Sequence, residues 1–462
     1  MNNPELIIVG AGPAGMGAAI EATSHGLSVL VLDEGAAPGG RIWQALERRG
    51  AEDADDDSAL AILRAFRACS ADIRGGATVW AIEPDGSVFW SLDGIACSAR
   101  ARHILLATGT VERPVPIPGW TLPGVMTVGA AQIALKTGGL IPDQNTWLAG
   151  QGPLLLLYAV QALRAGGRLA GILDLSGPGL LRRALPHVPA ALRASRDLIK
   201  GLRWRREIAR AGVPVLRAAN LRAEGAGSLD RIHFEQSGSV RTEAADTLLL
   251  HDGVIPSVQI TRALGCLHTW NATQRCWQPA TDPWGRTSVP NISAAGDGAG
   301  IGGALAAVQS GGIAALGIAA ELGRIDTPAR DRAAAAARTI RARHLAIRPL
   351  LDAVYPPLRL AVDDTTVVCR CEEVTAGQIR GAVPIGCLGL NQLKAYTRCG
   401  MGPCQGRMCA PVAARVLALA RNVPVAAIEP LRSRFPTKPV TVGELAALEA
   451  AQPEPRHVAG GH

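Results

Sequence analysis

Aromatic residues are scarce in this chain, at 3% of 462. No basic stretch is interleaved with them, which argues against a nucleic-acid surface. No acid–base pair or nucleophile constellation stands out either. The nine histidines are scattered and form no cluster. A substrate-processing site is therefore not readable from residue pattern. The chain runs from Met1 through Pro4 and Glu5 straight into an apolar strand, and no signal peptide is read ahead of it. One long run, Gly302 to Leu322, carries only Glu321 as a charge. Its five glycines and many alanines suit a buried helix better than a membrane span. With 19% charged and 48% hydrophobic residues the chain is globular, not disordered. The expected location is the cytoplasm.

What is abundant is glycine, at 53 residues, as nucleotide-binding α/β proteins require where backbone approaches phosphate. Ten cysteines in a cytoplasmic chain point to metal or redox work, and six of them fall between Cys369 and Cys409. Net charge is +8, from 47 basic and 39 acidic residues. Eleven Lys or Arg lie between Arg182 and Arg222, read as a solvated face, with a docking surface for an acidic partner or nucleotide phosphate as the alternative. Four spread cysteines, Cys69, Cys97, Cys266 and Cys276, are read as small core hydrophobes.

Leu6 to Gly10 is an apolar strand, followed by Gly10-Ala11-Gly12-Pro13-Ala14-Gly15 and a helix to about His25. Gly10 permits the tight turn, Gly12 lets backbone approach a pyrophosphate, and Gly15 lets helix and strand pack closely. The helix N-terminus offers free N–H groups to phosphate. A second strand ends at Asp33, eighteen residues beyond Gly15, where a carboxylate can hold ribose hydroxyls. The acidic stretch Ala51 to Ser58 is expected to be a surface loop. A second such opening, Gly150-Gln151-Gly152-Pro153-Leu154-Leu155, is followed by a strand ending at Asp174. Its third glycine position holds Leu155, which should push the helix off the strand or block close approach.

Asp33 with Glu34 and the loop Pro38-Gly39-Gly40-Arg41, then Ala107-Thr108-Gly109, then Ala295-Gly296-Asp297, resemble the two-dinucleotide-binding-domain flavoproteins of the pyridine nucleotide-disulfide oxidoreductase type. The resemblance covers residues 1 to about 325. It implies FAD on Gly10, Gly12, Pro13, Ala14, Gly15, Asp33, Glu34, Gly40, Arg41, Thr108, Gly109, Gly296 and Asp297. Asp297 would meet the ribitol, and the helix beginning near Gly302 would point its positive end at the flavin ring. Gly150, Gly152 and Asp174 are left for an adenine nucleotide such as ATP or ADP, or for no ligand. Productive reduction by NAD(P)H is not expected. Gly40-Arg41-Ile42-Trp43 has no cysteine, and Cys266 and Cys276 stand ten apart, so disulfide-reductase chemistry is not read.

Cys369-Arg370-Cys371 is a C-x-C, Cys404 lies thirty-three residues beyond Cys371, and Cys409 follows. Four thiolates suit a [2Fe–2S] cluster or zinc, and C-x-C is less typical of zinc. The segment resembles the bacterioferritin-associated-ferredoxin-like [2Fe–2S] domain, which implies Cys369, Cys371, Cys404 and Cys409 as ligands. The later pair has four intervening residues where that family has two, so Cys399 with Cys404 stays open as the alternative pair. Cys387 is read as structural. Arg398 and Arg407 fall beside the ligands, where cations would raise a cluster's potential.

The expected architecture is α/β: a FAD domain (1–120 and 285–327), an altered second nucleotide domain (121–284), a helical linker (328–362), the [2Fe–2S] module (363–425) and a C-terminal extension (426–462) whose end, from Gln452, is expected to fray. This order, with the crossover Arg113-Pro114 to Gly124-Val125, resembles the flavoprotein subunits of heteromeric amine and amino-acid dehydrogenases. These include the flavoprotein chains of opine (octopine or nopaline) oxidase and hydrogen cyanide synthase, and the α subunits of dye-linked proline and hydroxyproline dehydrogenases. That resemblance implies an electron-transfer subunit that works only with a second, FAD-containing subunit that oxidises a C–N bond. It also implies an FMN at the subunit interface in some members, a small ferredoxin-like subunit, and a place at the inner face of the membrane through partners. A self-sufficient NAD(P)H-dependent flavoenzyme and a non-enzymatic iron–sulfur scaffold are the alternatives.

Overall fold

The computed structural model describes residues 3–51, 54–142, 145–359 and 361–450. The end from Gln452, expected to fray, lies outside them. Two parallel five-stranded sheets organise the first 320 residues. The first has the order Ile292–Ala294, His103–Leu106, Leu6–Val9, Val29–Asp33, Asp72–Gly75. The second has the order Val215–Arg217, Gly171–Asp174, Thr146–Gln151, Thr247–Asp252, Val125–Thr127. Each carries its own three-stranded antiparallel sheet, 78–100 and 219–244. The central strands are buried throughout, as a parallel sheet covered on both faces requires. Thr110–Glu112 and Val254–Pro256, the two crossovers between the halves, pair antiparallel with each other.

The long apolar run forms the helix Ala304–Glu321. It packs on the first helix, Pro13–Ser24, through small residues. A Cβ on Gly311 would collide with the Ala14 carbonyl, and one on Gly17 with the Val308 carbonyl, so the two backbones nearly touch. Just over half of that helix is buried inside the protein, which accounts for its apolar sequence without a membrane.

The acidic stretch differs from expectation. Asp55, Asp56 and Asp57 sit in the first turn of the helix Ala54–Ala68 rather than in a loop. Carboxylates there face the positive end of the helix dipole, so a charge run that looked like a solvated loop serves as a helix start.

After the helix Thr327–Leu345 the chain builds a compact unit. It consists of the hairpin Val367–Cys369 with Val374–Thr375, and the helices Ala376–Gly381, Leu390–Thr397 and Ala410–Ala420. Its core includes Cys369, Cys387, Cys399 and Cys409. The chain then returns to the first half, where Thr437 N–H donates to Trp80 O at 2.8 Å.

Candidate functional site

The first glycine turn is held by steric necessity at its ends and is open in its middle. Gly10 has φ +108°, and a Cβ on Gly15 would collide with the Gly10 carbonyl. Gly12 differs: its φ is ordinary at −75°, and the nearest atom to an added Cβ is Gly40 Cα at 3.8 Å. Gly12 and the Gly39-Gly40 loop thus face each other across a gap at the start of the first helix, where Pro13 occupies the first helical position and Ala14 is buried behind it. Asp33 accepts from Ala11 N–H at 2.5 Å and from Gly35 N–H at 2.6 Å, and burial pushes its carboxyl above the usual range. Glu34 accepts from Arg41 at 3.0 Å and from Lys438 at 2.7 Å. On the far side of the sheet end, Thr108 Oγ1 donates to Ser257 O at 3.1 Å, and Gly109 has φ +63°. Gly296 packs on Ala14, so the Gly296-Asp297 turn lies against the first helix. Asp297 accepts with one oxygen from Gly302 N–H at 2.8 Å and Gly303 N–H at 2.9 Å, and its burial likewise raises its carboxyl. The structure brings these residues to one edge of the first sheet, in a cradle suited to an extended dinucleotide.

The second turn is wound differently. Gly152 has φ +107° where Gly12 has −75°. Leu155 turns its side chain into the core of the second half, at 3% exposure, beside Leu148, Tyr158 and Leu249. The turn is also covered by the chain's own linker. Gln151 Nε2 donates to Pro356 O and, at 3.2 Å, to Asp252, which also accepts from Leu358 N–H at 2.9 Å. The His251 ring, 1% exposed, lies against Gly152 and is held by Glu112. Asp174 accepts from Ser176 N–H at 2.9 Å. None of the linker contacts was legible in sequence, because Gln151 and Pro356 lie 205 residues apart.

The cysteines of the C-terminal unit converge. The sulfurs of Cys369, Cys399 and Cys409 lie within 4.8 Å of one another, all buried. Cys371 and Cys404 form a second pair, with sulfurs 3.8 Å apart. That approach depends on Gly402, where a Cβ would collide with Cys371. Cys369 and Cys409 of the first ligand set thus share a pocket with the alternative, Cys399, while Cys371 and Cys404 pair with each other outside that group of three. Five soft donors in one small unit fit a thiophilic metal or an iron–sulfur cluster. Cys387 stands apart, with its thiol donating to Gly389 O at 3.5 Å. Cys266 and Cys276 are buried, whereas Cys69 and Cys97 are only half-buried. Arg398 pairs with Glu372 at 2.8 Å, and Arg407 donates to Cys404 O at 3.2 Å and Thr437 O at 2.7 Å. The hairpin bearing Cys369 is docked on the crossover, where Trp120 Nε1 donates to Val367 O at 2.7 Å.

A family described as pyridine nucleotide-disulphide oxidoreductase matches residues 4–166 and 187–311, and the sarcosine oxidase A3 domain matches residues 364–449. The A subunit of opine oxidase from Rhizobium meliloti (strain 1021) is 41% identical over 460 residues, covering 96% of this chain and 98% of that protein. Hydrogen cyanide synthase subunit HcnB of Pseudomonas aeruginosa is 34% identical over 428 residues, covering 88% and 91%. The crystal structure of L-proline dehydrogenase from P. horikoshii shares the fold, with a TM-score of 0.69 at 19% identity, over 96% of this chain and 79% of that one.

Proposed function

The chain belongs to the pyridine nucleotide-disulphide oxidoreductase family, in the branch that holds HcnB and the A subunit of opine oxidase, and from that premise we propose that it is the electron-transfer flavoprotein subunit of a heteromeric dehydrogenase. The complex oxidises the C–N bond of an amino acid or opine. Its partner is a second FAD-containing subunit that carries the substrate site. Proline, hydroxyproline or glycine are the other candidate substrate types.

The observation that carries this reading is the contrast between the two glycine turns. The first is open across Gly12 and Gly40, whereas the second is covered by the linker through Gln151. A chain built this way is suited to hold FAD and poorly suited to take hydride from NAD(P)H, so its electrons must come from a partner. FAD, when bound, takes up a pair of electrons and releases them singly. In the first site Gly12 and the helix N-terminus would receive the pyrophosphate, Asp33 the ribose, and Asp297 the ribitol. Cys369, Cys371, Cys404 and Cys409 would hold a [2Fe–2S] cluster as the one-electron acceptor. An adenine nucleotide or no ligand at Gly150, Gly152 and Asp174, a ferredoxin-like subunit, an interfacial FMN and a cytoplasmic location at the inner membrane face complete the proposal.

The test is expression of this chain alone and with its genomic neighbours. The complex should reduce an artificial dye with an opine, a proline-type amino acid or glycine, and the isolated chain should not. Comparable turnover by the isolated chain would revive the self-sufficient flavoenzyme.

A further inference from the structure

An open cleft lies where the two sheets' crossovers, the linker and the cysteine unit meet. Its charge is one-sided. Arg113, Arg262, Arg275, Arg407 and Arg415 line it against a single carboxylate, Asp252. That carboxylate is already engaged by Gln151 and Leu358 N–H, and lies 3.6 Å from Arg113. Four of the arginines are held by backbone carbonyls: Arg113 by Gln274 and Arg275, Arg275 by Pro357, Arg407 by Cys404 and Thr437, and Arg415 by Leu358. Such bonds fix the guanidinium groups in place without neutralising them.

Arg262 is the sharpest case. It is half-buried, and its guanidinium meets no carboxylate among the described residues. It lies 5.6 Å from the centre of the Trp277 ring, which in turn meets Trp270 edge-on at 5.5 Å. Burial pushes its guanidinium down to about 10, the mark of a cation that has lost water and gained no anion. Leaving a charge so placed is costly unless a counter-charge completes it. Much of the rest of the wall is apolar, from Ile255, Leu358, Val412, Ile428 and Leu431. Cationic heads converging in an apolar cleft are the arrangement that binds an amphiphilic anion.

We propose that this cleft is a binding site for a small organic oxyanion, a phosphate ester or carboxylate on an apolar or ring-bearing body. The oxyanion is held by Arg262 and the body lies against Trp277 and the aliphatic wall. Neither the first glycine turn nor any of the five thiols lines the cleft, and the proposal does not depend on which substrate the complex oxidises. Gln405 and Arg407, which lie between Cys404 and Cys409 in the chain, also line it. Its occupant would therefore be seated beside the cysteine unit.

The probe is 8-anilinonaphthalene-1-sulfonate, an aromatic anion whose fluorescence rises in apolar surroundings, titrated into the FAD-loaded chain. One saturable site is expected, competed either by AMP or by 2-oxoglutarate, and these two arms separate a phosphate ester from a carboxylate. Arg262→Leu should weaken the probe roughly tenfold or more, as loss of a charge-assisted hydrogen bond implies. Arg262→Lys should retain part of the binding, and Arg222→Leu, an exposed arginine elsewhere, should retain all of it. Circular dichroism and retained FAD show that each variant is folded. Absence of a saturable site, equal affinity in Arg262→Leu, or competition by neither anion would overturn the proposal.

Discussion

Lys438 Nζ lies 2.7 Å from Glu34 Oε2, a contact that joins residues 404 positions apart. Lys438 belongs to the segment that leaves the cysteine unit, and Glu34 follows the buried carboxylate Asp33 at the first glycine turn. The same segment is pinned by Arg407 to Thr437 O and by Gln405 to Pro436 O at 2.7 Å each. The chain thus straps its cysteine unit to the loop that follows the first glycine turn's second strand. Both charges are more than one-third exposed, so the pair alone contributes little. Lys438→Met should raise the FAD dissociation rate by no more than about fivefold. Removal of everything after Ser433 should raise it further, since it also frees Arg407 and Gln405. Unchanged FAD release in the truncated chain would show that the strap does not bear on the cofactor.

Gly12 and Gly15 should fail in different ways. Gly12→Val has room within the protein and an ordinary φ, so it should fold with near-native stability and purify colourless. Gly15→Val would drive its side chain into the Gly10 carbonyl, and should lose about 1–3 kcal/mol of stability as well as FAD. Thermal unfolding with released-flavin absorbance separates the two.

Ser substitutions at Cys369, Cys371, Cys404 and Cys409 should each abolish the cluster signal in electron paramagnetic resonance and iron analysis. Cys387→Ser should keep it, because that thiol faces Gly389 away from the others. Cys399 shares the pocket of Cys369 and Cys409. A cluster lost in Cys399→Ser and kept in Cys409→Ser would exchange those two as ligands.

NADH and NADPH should bleach the flavin slowly, with less than full reduction in about a second, the scale of ordinary turnover. The physical reason is the linker over Gln151 and the differently wound Gly152 turn. Full bleaching within that time in anaerobic stopped flow would defeat the assignment of an outside electron donor.

Stability should fall as pH drops from about 6.5 towards 4. His103 is buried, 2.9 Å from Ser293 Oγ, and burial, aided by Arg286, pushes its imidazole down to about 4. Between those values the unfolded chain takes a proton that the folded chain refuses, so protonation favours unfolding. Above about pH 6.5 both states are neutral and the effect vanishes. The slope contributed is at most about 1.4 kcal/mol per pH unit. His103→Gln should flatten the denaturant midpoint against pH over that window, and an unchanged slope would remove His103 as its source.

Some features of this protein were determined by the sequence alone, because their physics is local. Gly10, Gly12 and Gly15 sit at the spacing a strand-to-helix turn demands, and the structure places them at that turn. Asp33 ends the next strand one short helix later, and the cysteines announce a thiol-rich unit by number. Leu155 marks the second turn as different from the first in sequence, and in the structure that side chain is part of the core of the second half. Tertiary structure decided the rest. Whether Cys399 joins Cys369 and Cys409 depends on how a hairpin, a loop and a helix pack. The cover over Gln151 comes from a linker 205 residues away, and the hold on Glu34 from a strap still further off. The five arginines of the cleft are scattered from 113 to 415 and share no motif. Spacing along the chain reports only on neighbours within a turn or a βαβ unit. Contacts between units follow from which faces bury each other, and those are settled when the chain packs.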